Sequence, residues 1–106
     1  NDLMRPALYQ AWMGIEACIR RDGPGTVWDV VGPVCESGDW LGRERTLALQ
    51  PGDMLALLSA GAYAMSMASN YNAVPRPPVM GVQEGRLSTL LRRETLDDMF
   101  ALDAGA

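Results

Sequence analysis

Cys35 has the clearest chemical potential of the residues in this 106-residue sequence. It follows Gly32 and Pro33 and precedes Glu36, so we expect a constrained backbone that presents the thiol at a strand end or in a loop. A thiol acts as a nucleophile when its pKa is depressed, and in a desolvated site it can donate a proton. A lone cysteine is more commonly a small buried hydrophobic residue, an interpretation that we prefer for Cys18. For Cys35 both interpretations stay open at this point.

An arginine and two tyrosines could bind anionic groups. Arg5 and Tyr9 are four residues apart, so one helical turn would place them on the same side, where they could hold a carboxylate together. Tyr63 follows Gly61 at a point where a strand is expected to give way to a helix, and free N–H groups at a helix start attract phosphate. The alternative for Gly61 and Tyr63 is a glycine required for packing beside a tyrosine in the core.

The basic residues are all arginine, because the sequence contains neither lysine nor histidine. Arginine remains charged at physiological pH and seldom serves as a general base or as a Schiff-base nucleophile. A self-contained enzyme would therefore depend on Cys, Tyr, Asp or Glu. Without histidine, and with carboxylates that are not grouped at ligand spacing, we expect no metal site.

The composition places the chain among folded domains, with 48% hydrophobic and 21% charged residues. Its net charge of −4 argues against a nucleic-acid partner. No apolar run reaches the roughly 18 residues that span a bilayer, and no signal-peptide pattern opens the sequence. Two cysteines are too few for a disulfide framework. We expect one soluble, cytoplasmic domain.

Alternation and turn residues predict a mainly antiparallel β structure, arranged as a barrel or sandwich, with one or two short helices. Hairpins are expected between residues 13–21 and 26–31, and between 79–83 and 86–91. A buried strand should cover residues 54–59, after a tight turn at 50–53.

The remaining segments have weaker signals. Pro6 predicts a turn or short helical bend, residues 34–37 should be extended, and residues 38–45 should form a charged loop. Helices are expected over residues 62–71 and, after a capping box, over 96–102. We interpret Arg92-Arg93-Glu94 as a solvated, charge-paired face.

Several short motifs are more informative in their order than singly. They are R-P-A-L-Y (5–9), G-P-V-C-E-S-G-D (32–39), P-G-D (51–53), A-G-A-Y (60–63), S-M-A-S-N-Y-N (66–72) and R-R-E-T (92–95). In this order they resemble the diaminopimelate decarboxylases, over nearly the whole chain. The resemblance implies a fold-type-III pyridoxal-phosphate enzyme, with an N-terminal α/β barrel and a C-terminal β domain.

Residues 1–106 would then be the C-terminal β domain, a piece of a longer protein, as the start without methionine also suggests. The Schiff-base lysine would lie in the barrel, upstream of Asn1. By this resemblance the chain alone should be inactive. The family's active site forms between subunits, which implies a homodimer with a shared site.

The resemblance also implies roles for individual residues. Cys35 corresponds to the proton donor that protonates the α-carbon after carbon dioxide leaves. Glu36 corresponds to a residue that holds the distal ammonium of meso-diaminopimelate, and Arg5 and Tyr9 to residues that hold its distal carboxylate. Tyr63 corresponds to a residue at the substrate and at the phosphate of pyridoxal 5'-phosphate, the cofactor. The product would be L-lysine.

Two alternatives remain from the sequence. An ornithine- or arginine-type decarboxylase should have Asp after the cysteine and lack the R-P-A-L-Y motif, so Glu36 with Arg5 and Tyr9 favours diaminopimelate. The second alternative is a non-catalytic β domain that binds a partner or mediates dimerisation. The absence of lysine supports this alternative.

Overall fold

The computed structural model describes residues 1 and 3–105, which divide into two compact units. The first contains residues 1 and 3–67, and the second contains residues 68–105. Both consist of short antiparallel strand pairs with short helices or turns. Across the described residues, no helix has the length and apolar character needed to cross a membrane.

The first unit contains two strand pairs and two short helices. Its elements are α1 (Pro6–Tyr9), β1 (Ile15–Ala17), β2 (Thr26–Val31), β3 (Trp40–Leu47), β4 (Leu55–Leu57) and α2 (Gly61–Met67). Strand β1 pairs with β4, and β2 pairs with β3, both antiparallel. Ile15 is the buried hydrophobic residue of this unit, and a Cβ at Gly42 would approach its Cδ1 to 2.8 Å. Gly42 therefore lets β3 lie against β1.

The hairpin predicted between residues 13–21 and 26–31 is wrong. Ile15 is instead opposite Leu57, and Val27 is opposite Thr46. The amide of Cys18 donates to the carbonyl of Met54 at 2.9 Å and extends the β1–β4 ladder. The turn residues at 22–25 indicate a change of direction correctly, but the strands on its two sides have distant partners.

The charged loop predicted at residues 38–45 is also wrong, because most of it belongs to β3. Two of the charged side chains of this strand, Arg43 and Glu44, are exposed. The half-buried Arg45 donates to the Met13 carbonyl at 2.6 Å, and its guanidinium lies 4.2 Å from the centre of the Trp12 ring. Residues 34–37, predicted as extended, form bends and a turn. The predicted bend at Pro6 is confirmed by α1, and the predicted strand at 54–59 is shorter and only half-buried.

The tight turn at residues 50–53 is confirmed. The Asp53 amide donates to the Gln50 carbonyl at 3.1 Å, and the Asp53 carboxylate accepts from the Gln50 amide at 2.9 Å. Gly52 has φ +90°, a conformation that glycine adopts without steric cost. Arg21 donates two hydrogen bonds of 2.7 Å to the Asp53 carboxylate, so this turn is bound to the segment that follows β1.

These contacts predict a specific acid sensitivity. The Arg21 guanidinium and the Gln50 amide lower the pKa of Asp53 from 3.8 to about 2. Because the folded-state pKa is depressed, the stabilisation is present above pH 4 and is lost as the pH falls toward 2. In the full-length protein, Asp53→Asn should therefore reduce the pH dependence of the unfolding midpoint in this range. Asp22→Asn, at an exposed position, is the control, and equal pH profiles for the two variants would contradict the assignment.

The second unit contains a 3-10 turn at Tyr71–Ala73, then β5 (Val79–Gln83), β6 (Arg86–Leu91) and α3 (Leu96–Met99). The predicted β5–β6 hairpin is confirmed, with Gln83 opposite Arg86. Glu84 and Gly85 both have positive φ, as a tight two-residue hairpin turn requires.

The two helix predictions are confirmed in position but not in length. The capping box before α3 is present: the Thr95 hydroxyl accepts from the Asp98 amide, and the Asp98 carboxylate accepts from the Thr95 amide. Helix α3 ends at Met99, and α2 ends at Met67 instead of continuing to residue 71. Near the end of α2, the Ser66 hydroxyl donates to the Tyr63 carbonyl, a local bond of the kind that competes with helix continuation.

The mainly β character with short helices is confirmed. The described residues form three separate two-stranded sheets, so the expected closed barrel is not present among them. Strands β1 and β4 have only three residues each and, among the described residues, each pairs only with the other.

Candidate active site

Arg5 is oriented by the proline that follows it. A residue before proline disfavours the helical conformation, and Arg5 has φ −134° and ψ 70°, just outside α1. Its guanidinium Nη2 donates to the Glu36 carboxylate Oε2 at 2.6 Å. The two side chains are 38% and 48% exposed, so this ion pair lies where solvent or a ligand can reach it. It joins two of the predicted site motifs, 31 residues apart in sequence.

Arg5, Tyr9 and Tyr63 line one small cleft of about 110 Å³. The rest of its wall is mostly apolar and includes Met4 and Met67. The structure therefore brings together three of the five predicted site residues around one cleft, and the ion pair links Glu36 to them. Tyr9 and Tyr63 are 50% and 66% exposed, which contradicts the alternative interpretation of Tyr63 as a core residue.

Cys35 lies beside Glu36 on a bent loop between β2 and β3. The Glu36 amide donates to the Val34 carbonyl at 2.8 Å, which turns the chain and leaves the Cys35 thiol exposed. The interpretation of Cys35 as a buried hydrophobic residue is therefore excluded. Cys18 is exposed as well, so the same interpretation is wrong for Cys18.

Asp39 is a buried polar residue that sequence reasoning did not single out. It is 6% exposed, and its Oδ2 accepts a hydrogen bond from the Val34 amide at 2.8 Å. Burial opposes its ionisation, whereas the hydrogen bond from the Val34 amide and the nearby charge of Arg5 favour the charged form. The available sequence signal was an aspartate directly after the turn residues Ser37 and Gly38.

A second polar cluster joins two motifs in residues 68–105. The Glu94 carboxylate accepts from the Arg76 amide at 3.0 Å and from Asn70 Nδ2 at 2.5 Å, and Arg76 Nη1 donates to Asn70 Oδ1 at 2.8 Å. The Arg76 amide bond, followed by the side-chain bonds, lowers the pKa of Glu94 despite partial burial. This cluster connects the S-N-Y-N and R-R-E-T segments.

The interpretation of Arg92-Arg93-Glu94 as one solvated face is therefore only half correct. Arg92 is exposed and pairs with Asp98 at 2.6 Å, as that interpretation requires. Glu94 instead faces Arg76 inside the polar cluster. Within residues 1 and 3–105, no three His, Cys, Asp or Glu side chains lie close enough to hold a metal ion.

The family described as "Pyridoxal-dependent decarboxylase, C-terminal sheet domain" matches residues 1–61. The chain is 47% identical over 104 residues to the diaminopimelate decarboxylase of Vibrio cholerae, covering 98% of this chain and 25% of that relative. It is 48% identical over 101 residues to that of Pseudomonas aeruginosa, covering 95% and 24%. The chain thus spans about a quarter of the length of these relatives.

Solved structures show the same relationship. Diaminopimelate decarboxylase from M. jannaschii, in complex with L-lysine, matches 99% of this chain and 24% of its own at a TM-score of 0.88 and 39% identity. The enzyme from Helicobacter pylori, also with L-lysine, matches 96% and 25% at a TM-score of 0.83 and 37% identity. With this family match and this agreement in fold, the chain belongs to the pyridoxal-dependent decarboxylases, and its residues 1–61 match their C-terminal sheet domain.

Proposed function

We propose that this chain is the C-terminal domain of a diaminopimelate decarboxylase, a homodimeric cytoplasmic enzyme that converts meso-diaminopimelate to L-lysine and carbon dioxide. The observation that carries the proposal is the Arg5–Glu36 ion pair beside the cleft lined by Tyr9 and Tyr63. The end of diaminopimelate far from the reacting carbon carries one carboxylate and one ammonium. The ion pair offers an opposite charge to each of them.

The Arg5–Glu36 ion pair is weak enough for a bound substrate to replace it. An exposed ion pair contributes only about 0–1 kcal/mol to stability, so breaking this one costs little. A substrate carboxylate can therefore replace Glu36 as the partner of Arg5, while Glu36 accepts the substrate ammonium. The relatives named diaminopimelate decarboxylase, and the L-lysine in two related structures, support this choice of substrate.

The residues of this chain fit one edge of a pyridoxal-phosphate site. Tyr63 exposes its side chain at the cleft and can donate a hydrogen bond to a phosphate, and the Cys35 thiol is also exposed. No lysine is present, so a covalent link to the cofactor has to come from another part of the protein. Bound pyridoxal phosphate would withdraw the electron pair left by the departing carbon dioxide.

The residues of this chain would then orient the substrate and move one proton. Arg5 and Tyr9 hold the distal carboxylate, Glu36 holds the distal ammonium, and Cys35 delivers the proton to the α-carbon. A neutral thiol can do this in a site from which water is excluded. Because Cys35 is exposed in this domain, the proposed site requires a covering surface, which we assign to the α/β barrel of the other subunit.

This function predicts a substrate order for the full-length protein. It should decarboxylate meso-diaminopimelate, and turnover of ornithine and arginine should be much lower because neither has a distal carboxylate for Arg5. Carbon dioxide release with each amino acid at equal concentration measures this. Turnover of ornithine without turnover of meso-diaminopimelate would refute the proposal. The isolated 106-residue chain is the negative control, because it contains no lysine.

A further inference from the structure

The loop that presents Cys35 and Glu36 is closed at its base by Asp39. The Gly32 amide donates to the Asp39 carbonyl at 2.8 Å, and the Asp39 amide donates to the Glu36 carbonyl at 3.0 Å. Inside this loop, the Val34 amide donates to the Asp39 carboxylate at 2.8 Å. One residue therefore binds the loop at its start, in its middle and directly after Cys35.

The Asp39 side chain is held tightly between the two ends of the loop. Only 1% of it is exposed. A Cβ built on Gly32 would overlap the Asp39 carboxylate, so glycine is the residue that leaves room for this contact. The Asn1 amino group also contacts the carboxylate, but the contacts with Val34 and Gly32 are independent of it.

We propose that Asp39 is a positioning residue for the proposed decarboxylation: by holding the Val34 amide across Gly32, it fixes the loop on which Cys35 and Glu36 reach the substrate. The effect of Asp39 on catalysis rests on the proposed function. Its role in holding the loop rests on the hydrogen bonds described above. Asp39 does not itself touch the substrate. Its loss would leave the loop free to adopt conformations that place the thiol and the carboxylate away from their targets.

The test uses the full-length enzyme and its steady-state kinetics with meso-diaminopimelate. Asp39→Ala should lower kcat/KM by about 10- to 100-fold, since misplacement of about 1 Å can cost this much. Asp39→Asn keeps an oxygen that can accept from the Val34 amide, so it should recover much of the loss. Asp53→Asn removes a carboxylate charge from a different turn of the same unit and should leave kcat/KM near wild type.

A second variant distinguishes positioning from a general loss of folding. Gly32→Ala alone should reduce kcat/KM as Asp39→Ala does, because the new methyl group displaces the carboxylate. In the double variant the methyl group meets no carboxylate, so activity should be no lower than in Asp39→Ala. Losses that multiply in the double variant would overturn the proposal, because they would show that the two residues act independently.

Hydrogen exchange separates this inference from the proposed function. Exchange of the Val34 and Glu36 amides, which are hydrogen-bonded in this loop, should be slow in the wild type, faster in Asp39→Ala and close to wild type in Asp39→Asn. This readout does not require turnover. If the wild type does not decarboxylate meso-diaminopimelate but shows this exchange pattern, only the proposed function fails. Unchanged exchange in Asp39→Ala would refute the positioning role whatever the substrate.

Discussion

Replacement of Cys35 by alanine in the full-length enzyme should lower kcat for meso-diaminopimelate by about 10²- to 10⁴-fold, the usual contribution of a general acid. Alanine has no proton to deliver, whereas the neighbouring Glu36 is already used for binding and forms an ion pair with Arg5. KM should change little, because Cys35 makes no proposed contact with the distal end of the substrate. The measurement is steady-state decarboxylation over a range of substrate concentrations.

Cys18→Ala is the matched control, since Cys18 is the other free and exposed cysteine of the chain. It should retain full turnover. The absorbance of the bound cofactor should be unchanged in both variants, because the lysine that would hold the cofactor is not in this chain. A Cys35→Ala enzyme with wild-type kcat would remove Cys35 from the mechanism.

The elements that the sequence predicts correctly are those whose partners are close in the chain. The β5–β6 hairpin requires only two strands and the residues Glu84 and Gly85 between them. The turn at 50–53 and the capping box of Thr95 each close within three residues. For such features, the residue types on the printed sequence carry most of the information needed.

The errors concern pairings that are determined over long distances. Strand β1 takes β4 as its partner, and Arg21 reaches across to Asp53, 32 residues away. Alternation of apolar residues indicates that a strand exists but not which strand it pairs with. The burial of Asp39 was missed for a different reason: Val34 is only five residues away, but their contact exists only once the loop between β2 and β3 is folded.

The structure brings several of the predicted site residues together, and their roles in catalysis and binding stay predictions. Arg5 and Glu36 were assigned from separate motifs, and the structure joins them by an ion pair. Tyr9 and Tyr63 were assigned in the same way and line one cleft with Arg5. These residues could be selected from the sequence because each of them lies in a short continuous motif, and the motifs follow one another in a recognisable order.

Replacement of Arg5 by alanine should have the second-largest effect, a fall in kcat/KM for meso-diaminopimelate of about 10- to 150-fold. This corresponds to the roughly 1.5–3 kcal/mol that a hydrogen bond to a charged group contributes. Most of the loss should appear as a higher KM, because the distal carboxylate is bound equally before and during the reaction. Arg5→Lys should recover part of the lost kcat/KM, since lysine keeps the charge but cannot form the bidentate hydrogen bonds of a guanidinium.

Arg43→Ala provides the matched control for Arg5. Arg43 is an exposed arginine of the same unit, and its guanidinium lies over the Trp40 ring at 4.6 Å, outside the set that lines the cleft. Its removal should leave KM unchanged. A rise in KM of similar size in both variants would indicate a general effect of positive charge on an anionic substrate rather than a specific contact of Arg5.

A double-mutant cycle separates two ways in which Arg5 could act. If Arg5 serves only to hold Glu36 in place, Arg5→Ala should cause no further loss in an enzyme that already carries Glu36→Gln. If Arg5 binds the distal carboxylate directly, most of its effect should persist in that background, because the carboxylate still lacks its partner. We expect the second result. The ion pair is too exposed to be the main source of order at Glu36, whose backbone carbonyl accepts from the amide of the buried Asp39.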